Sequence, residues 1–331
     1  MKYYLRRVTF YLITLWAAVS LNFFLPRLMP GDPRSIFIEK LMLRGGEITP
    51  AMERSIDLVF GTSNMSIWDQ YCQYLNNLIH GDLGVSVTKF PAPVTKLIAD
   101  ALPWTLILVG TATVISFILG VGIGAYAGWK RGTKADALIP GMTLLQSVPY
   151  FWLALIFVAY FSVALGWFPI IGGYSLRDFP AGPEMSWPFI QSAIYHAILP
   201  ALTIIIASVG GWVLGMRNMM VSALSEDYVV TAEAKGLRKS RIFFWYAARN
   251  AALPSMAAFG ISLGFVVAGS IVMEQVFTYP GIGKLMINAV QDKDFALMQG
   301  VFLVITVTVL AANFIMDLVY GLIDPRARSN V

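Results

Sequence analysis

Long apolar runs alternate with shorter polar segments along the whole chain. Six of the runs are long enough for a helix that crosses the hydrocarbon core of a bilayer, which needs about 17–25 residues. In chain order they are Val8–Phe24, Trp104–Tyr126, Leu138–Leu165, Ile190–Leu214, Ser255–Val276 and Ala296–Tyr320. The pattern predicts an all-α integral membrane protein with six transmembrane helices.

The spacing of the runs divides the chain into three parts. We predict an N-terminal transmembrane helix over residues 1–26, a polar cap segment over residues 27–103, and a core of five transmembrane helices over residues 104–331 with a loop at residues 215–254. Within the cap, Ser66–Leu78 has apolar residues at helical spacing, and Val94–Ala101 is predicted as a second short helix.

The first run has two interpretations. It follows Lys2, Arg6 and Arg7, as the apolar part of a secretory signal peptide does. It ends in Phe23-Phe24-Leu25-Pro26, however, rather than in a small-residue cleavage site. This ending favours a retained membrane anchor over a cleaved signal.

Two interruptions inside the runs carry further information. Gly120, Gly124 and Gly128 recur every fourth residue, a spacing that lets two membrane helices approach closely. In the third run, Gln146-Ser147-Val148-Pro149 places polar residues beside a proline. Such a segment is tolerated at membrane depth where protein or a water-filled cavity covers it. It is therefore either a packing kink or part of a solute pathway.

Composition agrees with a membrane protein and excludes several kinds of site. The chain is 57% hydrophobic and 13% charged, whereas soluble domains carry about 25% charged residues. Its single cysteine excludes an internal disulfide, and the two histidines, His80 and His196, lie too far apart in sequence to suggest a metal site. We expect no nucleic-acid partner, because the positions of the charges explain the net charge of +5 without one.

The basic residues are distributed unevenly between the two predicted sides of the membrane. Residues 1–7, 129–136, 215–250 and 321–331 fall on one side and hold 14 Lys/Arg and five Asp/Glu, a net charge of +9. The opposite side holds 10 Lys/Arg and 13 Asp/Glu, a net charge of −3. Because basic loops stay on the cytoplasmic side, we expect cytoplasmic termini and an extracytoplasmic cap.

The sequence contains no motif that would supply energy for transport. It lacks the GxxxxGK[ST] loop that cradles ATP phosphates, and it also lacks HExxH and CxxC. Acidic residues inside the runs are scarce: Asp317 lies near the end of the last run and Glu274 near the end of the fifth. A proton-driven transporter usually has acids or histidines at mid-span. We therefore expect a pathway that depends on a partner for energy.

The place to couple such a partner is the elbow, Tyr228–Pro254, which joins the fourth and fifth runs. It carries five Lys/Arg between Lys235 and Arg249 and no acid in that interval, so it projects from the membrane.

Several motifs occur along nearly the whole chain: Asp227-Tyr-Val-Val-Thr-Ala-Glu-Ala-Lys-Gly236, Arg249-Asn-Ala-Ala-Leu-Pro254, Pro30-Gly-Asp-Pro33, Gly81-Asp-Leu-Gly84, Glu274-Gln-Val-Phe-Thr-Tyr-Pro-Gly-Ile-Gly283 and Asp324-Pro-Arg326. Together they resemble the permeases of the dipeptide/oligopeptide/nickel family of binding-protein-dependent ABC importers, of the first-permease type in the two-permease pair. One departure is Val230, which replaces the glutamate after which the family's loop is named.

The resemblance implies a cytoplasmic coupling helix between spans four and five that lies in a groove of an ATPase subunit. By position, the coupling residues are Asp227, Tyr228, Ala232, Glu233, Ala234, Lys235, Gly236 and Leu237. Ala232 and Ala234 would allow close packing, and Gly236 would form a sharp exit that a side chain would obstruct. The implied partners are a second homologous permease, two cytoplasmic ATPases that bind ATP and Mg²⁺, and an extracytoplasmic solute-binding protein. This chain itself would hold no cofactor and would lie in a bacterial or archaeal inner membrane.

The substrate and the path stay open at this point. We expect a di- or oligopeptide. The alternative is a β-linked oligosaccharide, because the aromatic loop Gly166–Ser175 and Phe90-Pro-Ala-Pro93 are similar to that branch of the family and aromatic rings stack on sugars. Path-lining candidates are Gln146, Ser147, Gln275 and Asn313. A self-sufficient channel or secondary transporter is the alternative of a different class, and a membrane enzyme is disfavoured because Ser147 has no histidine near it in sequence.

Overall fold

A computed structural model describes residues 2–28, 35, 38–39, 42–43, 66–134, 136–264, 266 and 271–323. In these ranges the chain is helical and forms no β-strand, apart from an isolated bridge between Val85 and Pro93. The motifs Pro30-Gly-Asp-Pro33 and Asp324-Pro-Arg326 lie outside the described residues.

The helices are numbered here in chain order. They are α1 (Lys2–Arg27), α2 (Ile67–Ile79), α3 (Val94–Trp129), α4 (Ile139–Ser147), α5 (Tyr150–Phe157), α6 (Trp187–Leu224), α7 (Asp227–Ala234), α8 (Lys239–Arg241), α9 (Arg249–Gly264), α10 (Ile271–Val276), α11 (Ile282–Gln291) and α12 (Phe295–Ile323). A 3₁₀ turn, Asp136–Leu138, precedes α4, and π-helical segments follow α5 at Val158–Ala164 and α8 at Ile242–Ala248.

Among the described residues, four helices are long and apolar enough to cross a membrane. They correspond to the first, second, fourth and sixth predicted runs and cover Arg6–Phe24, Val94–Trp129, Trp187–Leu224 and Phe295–Ile315. The third run is a pair of helices, Ile139–Ser147 and Tyr150–Ala164, that passes the same test together and bends by 92° at its break. The fifth run is represented by the 16-residue α9 and the 6-residue α10, with residues 265 and 267–270 outside the described ranges. The count of six spans therefore stays a prediction.

The described chain divides into two compact units. The first comprises the described residues within 2–104 and 280–311, and the second comprises those within 105–279 and 312–323.

In the first unit, α2 is the predicted amphipathic helix. Ser66 caps it by accepting a hydrogen bond from the backbone N–H of Asp69 at 3.1 Å. Its apolar face packs on α1, where the ring of Tyr71 meets Phe23 edge-on at 5.2 Å and its hydroxyl lies 2.6 Å from that of Ser20. The prediction of a helix here is confirmed.

The predicted separate helix Val94–Ala101 is wrong. It is the start of α3, which runs without a break through Pro103 to Trp129. Val94 and Ile98 are buried against α12, where a Cβ on Gly300 would overlap Val94 and approach Ile98 to 3.2 Å. Pro103 removes one backbone donor but does not end the helix.

A buried carboxylate holds the first unit together. Asp294 is fully buried immediately before α12 and accepts hydrogen bonds from Ser86 Oγ at 2.5 Å, Thr88 Oγ1 at 2.9 Å and Thr88 N at 3.0 Å. It also caps α12 by accepting from the backbone N–H of Leu297 at 3.2 Å. Buried charge is costly unless it is satisfied in this way.

In the second unit, the glycine spacing of α3 produces close packing against α6. A Cβ on Gly120 would overlap the Cβ of Trp212, and one on Gly124 would lie 2.5 Å from the carbonyl oxygen of Val213. One on Gly128 would lie 2.7 Å from the Cβ of Met220. The glycines therefore serve helix packing, as predicted.

Candidate functional site

Helix α7 occupies the first half of the elbow as a single 8-residue helix. The chain turns out of α6 at Ser225 and enters α7 through Glu226, whose backbone is extended and whose carbonyl oxygen accepts from Val229 N at 2.9 Å. Asp227 lies in the first turn, where a carboxylate interacts favourably with the helix dipole.

The end of α7 is fixed by a specific backbone motif. Gly236 adopts a φ of +70°, its N–H donates to the carbonyl of Glu233 at 2.9 Å, and the N–H of Leu237 donates to the carbonyl of Ala232 at 3.3 Å. These two bonds form the Schellman arrangement, in which glycine supplies the left-handed residue. A Cβ on Gly236 would meet no described atom within 4 Å. Among the described residues, the requirement for glycine is therefore conformational. We expected from the sequence that a side chain at residue 236 would be obstructed, but no described neighbour obstructs it.

One face of α7 is buried within the chain itself. Val229 and Ala232, three residues apart, are 1% and 2% exposed. They belong to an apolar cluster, the supporting cluster, drawn from the ends of α3 and α6 and from the segment that follows α7. Its buried members are Ala125, Met216, Met220, Ala223, Val229, Ala232, Ile242, Ala247 and Ala251.

The opposite face of α7 is open. Asp227, Tyr228, Glu233, Ala234 and Lys235 are exposed. Leu237, in contrast, is half-buried and packs against the supporting cluster. The eight predicted coupling residues therefore divide into an exposed majority and a buried minority. Ala232, which was expected to ease packing against a partner, instead packs within the chain.

The basic half of the elbow is helical rather than a loop. Helix α8, the π-helical segment and α9 follow one another without a gap, so the fifth run is entered by helix well before Ser255. The side chains of Arg238, Lys239, Arg241 and Arg249 are exposed along this segment. Single-turn π segments inside α-helices often lie at functional sites.

An ion pair lies beside the supporting cluster. Arg217 of α6 contacts Asp136 bidentately: Nε donates to Oδ1 at 3.0 Å, and Nη2 lies 2.9 Å from Oδ1 and 3.2 Å from Oδ2. The backbone N–H of Gly132 also donates to Asp136 Oδ2, at 3.1 Å. The hydrogen bond from Gly132, together with the Arg217 guanidinium, holds the pKa of Asp136 below its usual value, although partial desolvation opposes the shift.

The break between α4 and α5 opens a cavity of 320 Å³ in the second unit. Pro149 lacks the N–H that would bond the carbonyl oxygen of Leu145, and the N–H of Val148 donates to that oxygen instead, at 3.3 Å. Ser147 Oγ donates back to the carbonyl oxygen of Thr143 at 2.9 Å. The lining residues that the structure describes are uncharged and comprise Val109, Gln146, Ser147, Val148, Pro149, Tyr150, Ile204, Ala207, Ser208 and Met273.

Two of the four predicted path residues meet in this cavity. Gln146 and Ser147 line it, whereas Gln275 and Asn313 are not among its lining residues. Gln275 is exposed on α10, and Asn313 is half-buried on α12. Ser208 and Tyr150 were missed. Ser208 has a visible signal, since it is a polar residue two positions before Gly210 in an apolar run, but nothing in the sequence points to Met273.

Glu274 differs from its neighbour Gln275 in being fully buried. It accepts a hydrogen bond from Thr105 Oγ1 at 2.6 Å. In the turn after α10, burial raises the pKa of Tyr279, and the nearby Glu274 carboxylate raises it further. Among the described residues, no group of three His, Cys, Asp or Glu is placed to hold a metal ion.

Comparison with known proteins yields one family and many relatives. Residues 120–329 match the model of the family described as binding-protein-dependent transport system inner membrane component. The chain is 31% identical over 325 residues to the oligopeptide transport system permease protein AppB of Bacillus subtilis, covering 98% of each chain. It is 33% identical over 335 residues to the di/tripeptide transport system permease protein DppB of Pseudomonas aeruginosa, covering 98% of this chain and 97% of the relative. It is 31% identical over 343 residues to the dipeptide transport system permease protein DppB of Escherichia coli K12, and this alignment covers 99% of each chain.

Proposed function

Because the chain belongs to the family of binding-protein-dependent transport system inner membrane components, we propose that it is a permease subunit of an ATP-driven importer of di- or oligopeptides. The relatives that match it end to end are named as permeases of oligopeptide, di/tripeptide and dipeptide transport systems. These names favour a peptide over an oligosaccharide as the solute.

The observation that carries the proposal is the two-sided environment of α7. Val229, Ala232 and Leu237 pack this helix on the supporting cluster, while Asp227, Tyr228, Glu233, Ala234 and Lys235 stay exposed. A short helix held this way presents a polar face to a partner and passes any displacement to the membrane helices beneath it. We therefore assign α7 as the coupling helix, with Gly236 fixing its end.

The assembly implied by this role contains four further components. A second homologous permease would complete the path, two cytoplasmic ATPases would bind ATP and Mg²⁺, and an extracytoplasmic binding protein would deliver the solute. The charge asymmetry of the sequence supports six spans with both termini and the coupling helix in the cytoplasm and the cap outside.

The cavity at the helix break is the best-supported part of the solute path. Its polar lining consists of an amide, hydroxyl groups and interrupted backbone, which hydrogen-bond a peptide backbone without selecting a charge. Gln146 and Ser147 are assigned to it. Gln275 and Asn313 stay predictions.

The test is transport by the reconstituted complex. The chain is co-purified with its second permease and ATPases, placed in proteoliposomes and supplied with the binding protein. Uptake of radiolabelled dialanine, tetraalanine and cellobiose is then measured with ATP and with a non-hydrolysable analogue. We expect ATP-dependent uptake of at least one peptide and none of cellobiose.

Two outcomes contradict the proposal. Uptake of cellobiose alone would replace the peptide assignment by the oligosaccharide one. Uptake by this chain alone, without ATPases, would identify a self-sufficient channel or secondary transporter.

A further inference from the structure

The Arg217–Asp136 ion pair joins two elements that have different neighbours. Arg217 lies near the end of α6, and Asp136 begins the 3₁₀ turn that leads directly into α4. The pair is bidentate, with side chains only 23% and 17% exposed. A bidentate guanidinium–carboxylate contact fixes orientation as well as distance.

On the α6 side, Arg217 is held by the same packing that supports the coupling helix. Met216 and Met220 are 1% and 0% exposed and belong to the supporting cluster. The backbone of Arg217 itself lies against α3, since a Cβ on Gly124 would come within 3.1 Å of its nitrogen and one on Gly128 within 2.9 Å of its oxygen. The base of the Arg217 side chain therefore has little freedom to move independently of the cluster.

On the Asp136 side, the chain leads to the cavity. The 3₁₀ turn continues into α4, whose last residues, Gln146 and Ser147, line it. Further along α4, the backbone packs closely on α6, since a Cβ on Gly210 of α6 would lie only 2.6 Å from the carbonyl oxygen of Met142. Helix α4 is thus fixed to α6 at two levels, by the ion pair near its start and by the Gly210 contact near its middle.

We propose that the Arg217–Asp136 pair is a positioning element that transmits displacement of the coupling helix to α4 and so to the cavity. This inference rests on the proposed function, because it requires an ATPase to displace the coupling helix. Packed elements with two arrangements carry such coupling, and its demonstration requires that breaking the link changes one site's response to the other.

The experiment reads the cavity without requiring that the solute be known. Cys72, the single cysteine of the chain, is exposed and is replaced by serine. Ser147→Cys then places a unique thiol in the cavity lining, and the protein with these two changes is the parent. The complex with its second permease and ATPases is reconstituted in nanodiscs, and the rate of labelling by fluorescein maleimide is measured without nucleotide and with ATP, Mg²⁺ and vanadate.

In the parent, we expect nucleotide trapping to change the labelling rate. In Asp136→Asn and in Arg217→Gln, we expect that nucleotide-dependent change to shrink about tenfold while the ATPases still co-purify. The exchange Asp136→Arg with Arg217→Asp restores opposite charges across the gap and should recover part of the change. Lys134→Gln, which removes a charge from the same loop without touching the pair, should behave as the parent.

The outcomes separate the ion-pair proposal from the function on which it rests. If the parent shows no nucleotide-dependent change, the proposed function fails. If the parent responds and both single variants respond equally, the ion-pair proposal is overturned. The proposal is also overturned if the variants lose ATPase co-purification while the assembled fraction keeps the full response, since the pair would then be only structural. If the charge exchange does not assemble, Asp136→Glu decides in its place: retention of the response supports the pair, and its loss to the level of Asp136→Asn contradicts it.

Discussion

Helix α7, the proposed coupling helix, and the break between α4 and α5 both place polar residues between apolar helices, but they do so in opposite ways. The coupling helix is held by a closed apolar cluster, and its residues Val229 and Ala232 have almost no exposed surface. At the break, Gln146, Ser147 and Tyr150 stay exposed around a cavity. A closed cluster transmits displacement because its members have no room to relax, whereas an open cavity admits different occupants. Substitutions should therefore affect coupling in the first region and solute preference in the second.

The strongest test of the closed region is the contact between α3 and α6. Gly124→Val would force a side chain against Val213 and Met216 and should lower the free energy of unfolding by about 1–3 kcal/mol. The measurement is the Tm of the detergent-solubilised chain. Gly122→Val is the matched control, because a Cβ there meets no described atom within 4 Å. Equal loss of stability in both variants would contradict close packing as the cause.

A second comparison uses the two alanines of the coupling helix. Ala232→Leu should destabilise the isolated chain by about 2 kcal/mol, because the larger side chain has no space in the supporting cluster. Ala234→Leu should leave the Tm of the isolated chain unchanged, because Ala234 is exposed, but it should reduce co-purification of the ATPases. If Ala234→Leu leaves co-purification intact, the exposed face of the coupling helix is not the docking surface.

A third test separates conformation from obstruction at Gly236. Gly236→Val should cost about 1–2 kcal/mol at a φ of +70° and abolish solute-stimulated ATP hydrolysis while the chain still inserts. Gly236→Asn should retain most of the coupling, since asparagine tolerates this backbone conformation.

Gly182→Val is the control for this third test. It imposes comparable strain at a φ of +105° in the loop before α6, where a Cβ also meets no described atom within 4 Å, and it should spare coupling. Failure of Gly236→Asn together with success of Gly182→Val would mean that a partner surface excludes any side chain at residue 236.

The smallest effect is expected in the open region. Gln146→Leu removes one amide from the cavity and should lower dialanine uptake by less than about tenfold, the equivalent of one hydrogen bond, with ATPase co-purification unchanged. Gln275→Leu is the matched comparison, because both glutamines were predicted from the sequence to line the solute path but only Gln146 lines the cavity. An effect of Gln275→Leu as large as that of Gln146→Leu would move the path away from the helix break.

Local backbone signals in the sequence predicted several of these features. The glycines at 120, 124 and 128 indicated close helix packing, and Gln146-Ser147-Val148-Pro149 indicated an interruption that the structure shows as a 92° bend. In both cases the signal lies in residues next to one another or one helical turn apart, so spacing alone is informative. The exit of α7 at Gly236 was implied by the family resemblance, and the structure has a left-handed residue there.

The remaining features depend on contacts between residues distant in the chain. The packing of Val94 and Ile98, at the start of α3, against Gly300 is one such contact, and no local pattern reports it. The inward orientation of Ala232 follows from the position of Ile242 and Met220, and the pairing of Arg217 with Asp136 joins residues 81 positions apart. Met273 lines the cavity beside Gln146 and Ser147, which lie more than 120 residues before it in the chain.

The Asp294 carboxylate has a consequence for the order in which the chain is completed. Its donors Ser86 and Thr88 precede it by 208 and 206 residues, and Asn22 of α1 donates to the carbonyl oxygen of Gln299, 277 residues later. Since a chain is synthesised from its N-terminus, these groups emerge long before their acceptors exist. These contacts of the first unit therefore form only after the first turns of α12 have been made, and a chain that ends before α12 lacks them.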